Sequence, residues 1–521
     1  MKQRECVLSI ATAKMQIFSD NHKSFLDAGQ KSSKTLENPR FIFKFVCIMG
    51  NTENKDFLLG RIRGKLPLSL GQQVRLTLLL CGPAILAQLA SILLQFIDAS
   101  MVGSLGAGPA ASIGLVSTTT WIFGGFAMAA SQGFSVQVAH LIGSNDFMGA
   151  RKVLRQGLTS VTLFSLLLVL AGLSIADALP RWLGGSPDIT REASAYFRTY
   201  ILFLPAMQLG FFGSSMLQCS GNMKLPSLLN VLMCVLDVIF NFLLIFPTRE
   251  IAGITVPGAG MGVKGAALGT GLAELITAGL MLWFLLVRSK ELAVIHERGV
   301  SYRPTRVCLK NAFGITGPMW VQNMIMRGAH IASTVIVAPL GPVAIAANSF
   351  AITAEGFVYM PGYGMGDAAT TLVGQSLGAG RRELVRSFTR ITMALGIGMM
   401  GVLAVVMWLI APQLMGVLSV DPDVVALGAK VLRIEAFAEL GYAASIVAYG
   451  ACVGAGDTLV PSGLNLGSMW LVRIIPAIFL TPVYGLTGYW IAMCIELNVR
   501  GLLFIWRVSG KQWLKHRIAE T

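Results

Sequence analysis

Hydrophobic residues fill 54% of the 521 positions and charged residues only 13%, about half the charged share of a soluble globular domain. A chain so apolar has too little polar surface for water, which argues against a soluble enzyme. The net charge of +15 does not point to nucleic acid. The bases fall in short clusters between apolar runs: Arg151, Lys152 and Arg155; Arg288 to Lys310; Arg381, Arg382, Arg386 and Arg390; Lys511, Lys515 and Arg517. That is the positive-inside pattern of cytoplasmic loops.

The first 60 residues are polar and mixed in charge, with no cleavable signal peptide, and the run Phe41 to Met49 is too short to span a bilayer. A basic lead-in follows at Lys55, Arg61, Arg63 and Lys65, so residues 1–74 are expected to be a cytoplasmic segment. Residues 1–48 are expected to be dispensable, or to precede the natural start.

Apolar segments such as Val161 to Ala176, Ile276 to Val287, Leu395 to Pro412 and Tyr484 to Trp506 then recur. Stretches of about 20 such residues cross the hydrocarbon core. The predicted fold is all-α and polytopic. Twelve transmembrane helices are expected, starting near residues 76, 110, 154, 193, 225, 262, 309, 343, 387, 424, 460 and 484. The expected units are a first lobe over 75–287, a cytoplasmic linker over 288–310, a second lobe over 311–508 and a cytoplasmic tail over 509–521. The even count puts both termini in the cytoplasm. The eight cysteines show no close pair with metal-ligand spacing and read as small buried hydrophobes.

An internal repeat organises these spans. Gly82-Pro83 returns as Gly317-Pro318, Leu141 to Ser144 as Ser376 to Ala379, and Gly221 to Pro226 as Gly456 to Pro461, all at an offset of 235 residues. The register breaks only after a longer outer loop, Pro247 to Gly260, in the first half. Six spans per half keep the two repeats in the same orientation. The expected architecture is therefore two six-helix bundles related by a pseudo-two-fold axis along the membrane normal, a transporter layout.

The motifs resemble those of the multidrug and toxic compound extrusion (MATE) family. They are Pro83, Gln88, Asp98 and Met101-Val102-Gly103; Val373 to Gly380; Ser220-Gly221-Asn222; Gly454 to Thr458; and Gly265 to Thr270. The resemblance covers about residues 75 to 508 and lies nearer the DinF-like branch. It implies export of amphipathic organic cations in exchange for Na⁺ or H⁺ by alternating access, from a bacterial inner membrane. Neither a cofactor nor a nucleic-acid partner is implied, and the chain is expected to act as a monomer.

Carboxylates deep in a bilayer need a partner or a role. Asp98 lies well inside the first span; Asp237 and Asn241 are four apart, on one face of the fifth; Thr270 lies in the sixth. These are hard oxygen donors suited to Na⁺, and two close carboxylates also trap a proton. In the DinF-like branch the fifth helix carries Asn and then Asp; here the order is inverted. The repeat places Ser333, Val472 and Pro476 opposite Asp98, Asp237 and Asn241, so the fold itself does not demand the acids.

Secondary polar candidates are Glu274, Glu355, Asp367 and Arg327, with an Arg327–Glu355 ion pair as the plain structural account. Glu435 with Glu439, and Glu496 with Arg500, read as helix-face or gate residues, and the second-bundle acids of the NorM-like branch lack clear counterparts. Gln88, Trp121, Phe126, Met128, Tyr359, Met360 and Tyr363 are candidates to line a drug cavity, since Met and aromatic side chains adapt to varied cations. A lipid-linked oligosaccharide flippase and a non-transporting membrane enzyme or scaffold are the alternatives. The chain has no Gly-Lys-Ser/Thr phosphate loop, His-Glu-x-x-His or Cys-x-x-Cys, which argues against an ATPase or hydrolase.

Overall fold

Span 1 starts where the sequence supplies a cap. The Ser69 hydroxyl accepts the Gln72 backbone N–H while the Gln72 side chain accepts the Ser69 N–H, which satisfies two orphan donors. In this computed structural model, residues 52–251, 254–294 and 301–514 are described. The expectations for residues 1–48, Cys6, Cys47, Lys515 and Arg517 lie outside them. Asn54–Thr521 form one compact unit; of the separate unit before it, only Thr52 and Glu53 are described.

Twelve helical spans follow one another. The first lobe contains Leu70–Gly103, Ala107–Gly143, Phe147–Ile175, Pro187–Cys219, Lys224–Ile245 and Gly262–Trp283, numbered 1 to 6. The second lobe contains span 7, Arg306–Val337; span 8, Pro342–Gly378; and span 9, Arg382–Leu418. Span 10 is bent by 59° between Pro422–Glu435 and Glu439–Gly454. Span 11 runs through Leu459–Gly467, a π-helical stretch Ser468–Ile474 and Ile475–Tyr484; span 12 is Leu486–Ser509.

Among the described residues, nine helices qualify as spans by length and apolarity, and the bent pair makes a tenth. Spans 7 and 12 complete the set while carrying Lys310 and Arg327, and Glu496, Arg500 and Arg507. Several helices start one to two turns before the predicted positions. In span 3 the bases Arg151 and Lys152 lie between the observed start at Phe147 and the predicted one, so hydropathy registers only the apolar remainder. The longer outer loop of the first half is an antiparallel hairpin, Pro247–Ile251 with Ile254–Ala259. Its Arg249 guanidinium lies 4.5 and 4.1 Å from the ring centres of Phe242 and Phe246.

The outer face is bare hydrocarbon. Leu163, Leu166, Leu167 and Leu170 form an exposed stripe at helical spacing on span 3, a surface suited to lipid. Five of the six described cysteines are buried, and Cys494 is half-buried.

The two lobes meet at the pole that gathers the basic loops, and the sequence repeat is visible there atom by atom. His140 Nε2 donates to the Gly454 carbonyl at 2.8 Å, and its repeat mate Gln375 donates to the Cys219 carbonyl at 2.7 Å. Two glycines make this approach feasible. A Cβ on Gly143 would lie 2.2 Å from the Gln375 carbonyl oxygen, and one on its mate Gly378 would lie 2.0 Å from that of His140. Farther along, Thr316 donates to the Ala129 carbonyl at 3.2 Å and Trp320 Nε1 to that of Phe126 at 3.0 Å, tying span 7 to span 2. Span 1 packs on span 8, where Phe96 stacks on Phe357 at 5.5 Å.

From Asn54 on, the helix that ends at Arg63 packs against the same pole. Its Leu58, Leu59 and Ile62 are buried in a cluster with Leu372, Val373 and Leu384 of the second lobe and Trp513 of the tail. On the other side, Arg63 pairs with Glu291 at 3.3 Å, and Asn145 donates to the Arg63 carbonyl at 3.1 Å.

Gly143→Val should keep the lobes folded but hold this pole apart. The buried Cys219 thiol should then react faster with maleimide in membranes, as localised by mass spectrometry. Unchanged Cys219 reactivity would show that closure does not depend on that glycine.

Candidate functional site

The first-lobe polar site is built by two parallel helices held in register. Asn230 of span 5 donates to the Ala87 carbonyl at 3.1 Å and to the Ser91 hydroxyl at 2.9 Å on span 1. Eleven residues on, about three helical turns, the Asn241 side-chain amide donates to Asp98 Oδ1 at 3.0 Å. Asp237 sits one turn before Asn241 on the same face and is 0% exposed. Asp98 of span 1 and Thr270 of span 6 lie within side-chain hydrogen-bonding reach of its carboxylate, yet neither of its oxygens, nor Asn241 Oδ1, makes a well-formed hydrogen bond among the described residues. Asp98 and Thr270 themselves are half-buried.

Two further residues shape this site. A Cβ on Gly269 would lie 2.2 Å from Asn241 Oδ1, so only glycine lets span 6 come this close. Tyr196 of span 4 is within electrostatic reach of both Asp98 and Asp237. Glu274 extends the polar strip, packing 3.4 Å from the Cβ position of Gly210 and near Tyr200, whose hydroxyl donates to the Thr120 carbonyl at 3.2 Å.

The second lobe carries a different acidic set. Glu355, Glu435 and Glu439 are all buried, and the oxygens of Glu435 and Glu439 lack hydrogen-bond partners among the described residues. Each is an electrostatic neighbour of the others. Glu435 and Glu439 are therefore buried rather than set on an exposed helix face. The set does not mirror Asp98 and Asp237, since the repeat places Glu355 and Glu435 opposite Thr120 and Tyr200.

The anticipated Arg327–Glu355 ion pair does not form. The Arg327 guanidinium instead lies over the Trp121 ring of the first lobe, 5.1 Å from its centre. The buried bases Arg473 and Arg500 are both taken by Glu496, each with an N–O distance of 2.6 Å. The π-helical stretch of span 11 carries Arg473.

Asp367 of span 8 lies beside Gln88 of span 1. It opens on a small cleft that is also lined by Gln132, Ser135, Gln218 and Thr370. Tyr359 packs against Tyr363 and Tyr442 at centroid distances of 6.1 and 5.5 Å, with Met360 half-buried next to it in sequence. Phe126 meets Trp320 edge-on at 6.0 Å, in the contact between the lobes. Trp121 and Met128, two turns apart, are exposed on one face of span 2.

The MatE family model matches residues 83–243 and again 318–479, more than half of the chain. The chain belongs to the MatE family. The two matches of the MatE model begin at Pro83 and Pro318, one repeat apart. Among curated relatives, a probable multidrug resistance protein NorM of Thermotoga maritima is 24% identical over 444 residues, which cover 84% of this chain and 92% of the relative. The multidrug resistance protein MdtK of Yersinia pestis is 22% identical, covering 85% and 96%. The fold of this MatE protein matches a Vibrio cholerae MATE transporter, VcmN, with a TM-score of 0.78 at 17% identity, covering 86% of this chain and 99% of that one. It also matches an outward-facing multidrug resistance MATE transporter, with a TM-score of 0.78 at 20% identity, covering 84% and 96%.

Sequence reasoning missed Tyr196, whose polar stretch Arg191 to Thr199 reads as a helix start, and took Gly269 only as part of the Gly265 to Thr270 motif, without its contact with Asn241. The second-lobe glutamates were visible as acids in apolar runs, but their burial was not. Gly269→Val should force spans 5 and 6 apart and lower stability by about 1–3 kcal/mol, read as a lower thermal midpoint of the purified protein. An unchanged midpoint would mean that Asn241 is not tightly seated against span 6.

Proposed function

We propose that the chain is a secondary active antiporter that exports amphipathic organic cations, including drugs, in exchange for Na⁺ or H⁺. The observation that carries this reading is the polar set Asp98, Asp237, Asn241 and Thr270, in which a fully buried carboxylate lies against a second carboxylate and a hydroxyl with no well-formed hydrogen bond among the described residues. Such a group is costly at membrane depth. A cation or proton held between two carboxylates, an amide oxygen and a hydroxyl would remove that cost. The names of the NorM and MdtK relatives support drug export.

The lobes rock about the seam. With the basic pole closed, as here, the first-lobe site takes its ion from the opposite side. Neutralising Asp98 and Asp237 weakens their hold on a cationic cargo, which leaves. Once the ion departs on the other side, the acids again attract a cationic cargo. One charge moving through 100 mV supplies about 2.3 kcal/mol, enough for one or two ions to drive accumulation. The basic pole is cytoplasmic by the positive-inside rule, with both termini on that side of a bacterial inner membrane. One chain supplies both lobes, so a monomer suffices.

A lipid-linked oligosaccharide flippase would favour a cationic cavity. Here Arg473 and Arg500 are bound to Glu496, whereas Asp237, Glu435 and Glu439 are left without hydrogen bonds among the described residues. The charge balance of the interior thus favours cationic cargo. Among the described residues no three of His, Cys, Asp and Glu converge to hold a metal, and a monovalent ion needs no such cluster.

In proteoliposomes, an imposed Na⁺ or pH gradient should drive ethidium movement, and Asp98→Asn should abolish it while leaving membrane insertion intact. Full ethidium transport by Asp98→Asn would remove this residue from the mechanism. Asp237→Asn alone should lower transport at least tenfold, on the scale of a lost charge-assisted contact. Combining it with Asn241→Asp restores one carboxylate on that helix face and should recover activity. Failure of the double variant to recover would show that the position of the acid, not its presence, is what counts.

A further inference from the structure

Arg327 is a membrane-depth base that the exchange scheme leaves unused. It lies about six turns into span 7 and is half-buried. Its guanidinium rests 5.1 Å from the centre of the Trp121 ring, across the lobe boundary, with the Tyr363 phenol as an electrostatic neighbour. No ion pair joins it to a carboxylate among the described residues, while Arg473 and Arg500 share Glu496. An aromatic face offsets only part of the cost of a cation at this depth.

The repeat supplies an internal control. The 235-residue shift carries Arg327 to Ile92 and Trp121 to Gly356. At that mirrored position the contact is purely apolar, with Ile92 Cδ1 2.5 Å from the Cβ position of Gly356. The fold therefore closes this part of the seam without any charge. Arg327 and Trp121 are a one-sided addition.

Their placement relative to the acids follows from the same symmetry. An axis along the membrane normal puts Arg327 at the depth of Ile92, which precedes Asp98 by six residues, about 9 Å of helix rise. The first lobe thus presents carboxylates and the second a guanidinium, offset in depth. Trp121, 52% exposed, offers a flat aromatic surface beside the guanidinium.

We propose that Arg327, backed by Trp121, is the carboxylate-binding subsite that decides how well this chain handles zwitterionic against purely cationic aromatic cargo. An ammonium or iminium group of such a cargo faces Asp98 and Asp237. Its carboxylate meets the planar fork of Arg327, which binds carboxylates bidentately, and its rings lie against Trp121. The cargo supplies the counter-charge that the protein withholds. The inference rests on the export reading above and narrows its substrate class.

Rhodamine 110 and rhodamine 123 provide the test, since they differ only in a free carboxylate against its methyl ester. Purified protein in nanodiscs should bind both dyes by fluorescence polarisation, and proteoliposomes should transport both. Arg327→Gln should lower the ratio of rhodamine 110 to rhodamine 123, in affinity and in transport, by about tenfold, the scale of a lost charge-assisted hydrogen bond. Arg327→Lys should recover part of that ratio. An unchanged ratio in Arg327→Gln would overturn the subsite, whether both dyes weaken together or neither does. So would a wild type that handles rhodamine 123 but not rhodamine 110. A wild type that binds both dyes with the expected Arg327 dependence yet transports neither would keep the subsite and sink the export reading. Failure to bind either dye would overturn the subsite.

Discussion

A carboxylate at membrane depth has no water to solvate it, and much of this structure answers that constraint. Asp98 accepts the Asn241 amide, and that contact exists only because spans 1 and 5 run in register and Gly269 lets span 6 approach. Asp237 is left between Asp98 and Thr270 with no well-formed hydrogen bond to either oxygen among the described residues. Such a group is stable only while something neutralises it, which makes it sensitive to whatever ion the surroundings offer.

In the proposed exchange cycle, the seam is where a local charge event becomes motion. Its contacts at the basic pole are backbone carbonyls meeting His140, Gln375 and two glycines. Contacts of this kind depend on close approach, so they are lost together when the lobes separate. The repeat makes the two halves of this gate equal, while the acids are distributed unequally between the lobes. Symmetry thus serves the rocking motion, and asymmetry serves the chemistry.

Charge is also divided by depth and lobe. The first lobe places two carboxylates near Tyr196; the second buries three glutamates, satisfies two arginines through Glu496 and leaves Arg327 on an aromatic face. Membership of the MatE family accounts for the two-lobe frame. Under the proposed export function, these charged side chains set which charges a cargo can carry.

The sequence by itself determined the membrane setting, the number of spans, the two-fold repeat and the four polar residues of the first lobe. Each is legible because lipid imposes a one-dimensional code: helix length, apolar runs, loop charge and the rarity of buried acids. Only the tertiary structure decided which distant helices touch. Arg327 reaches Trp121 rather than Glu355, Glu435 and Glu439 turn inward, and Gly269 abuts Asn241. Those pairings depend on helix rotation and crossing distance, which are set by packing between spans far apart in the chain and leave no periodic signal in any one of them.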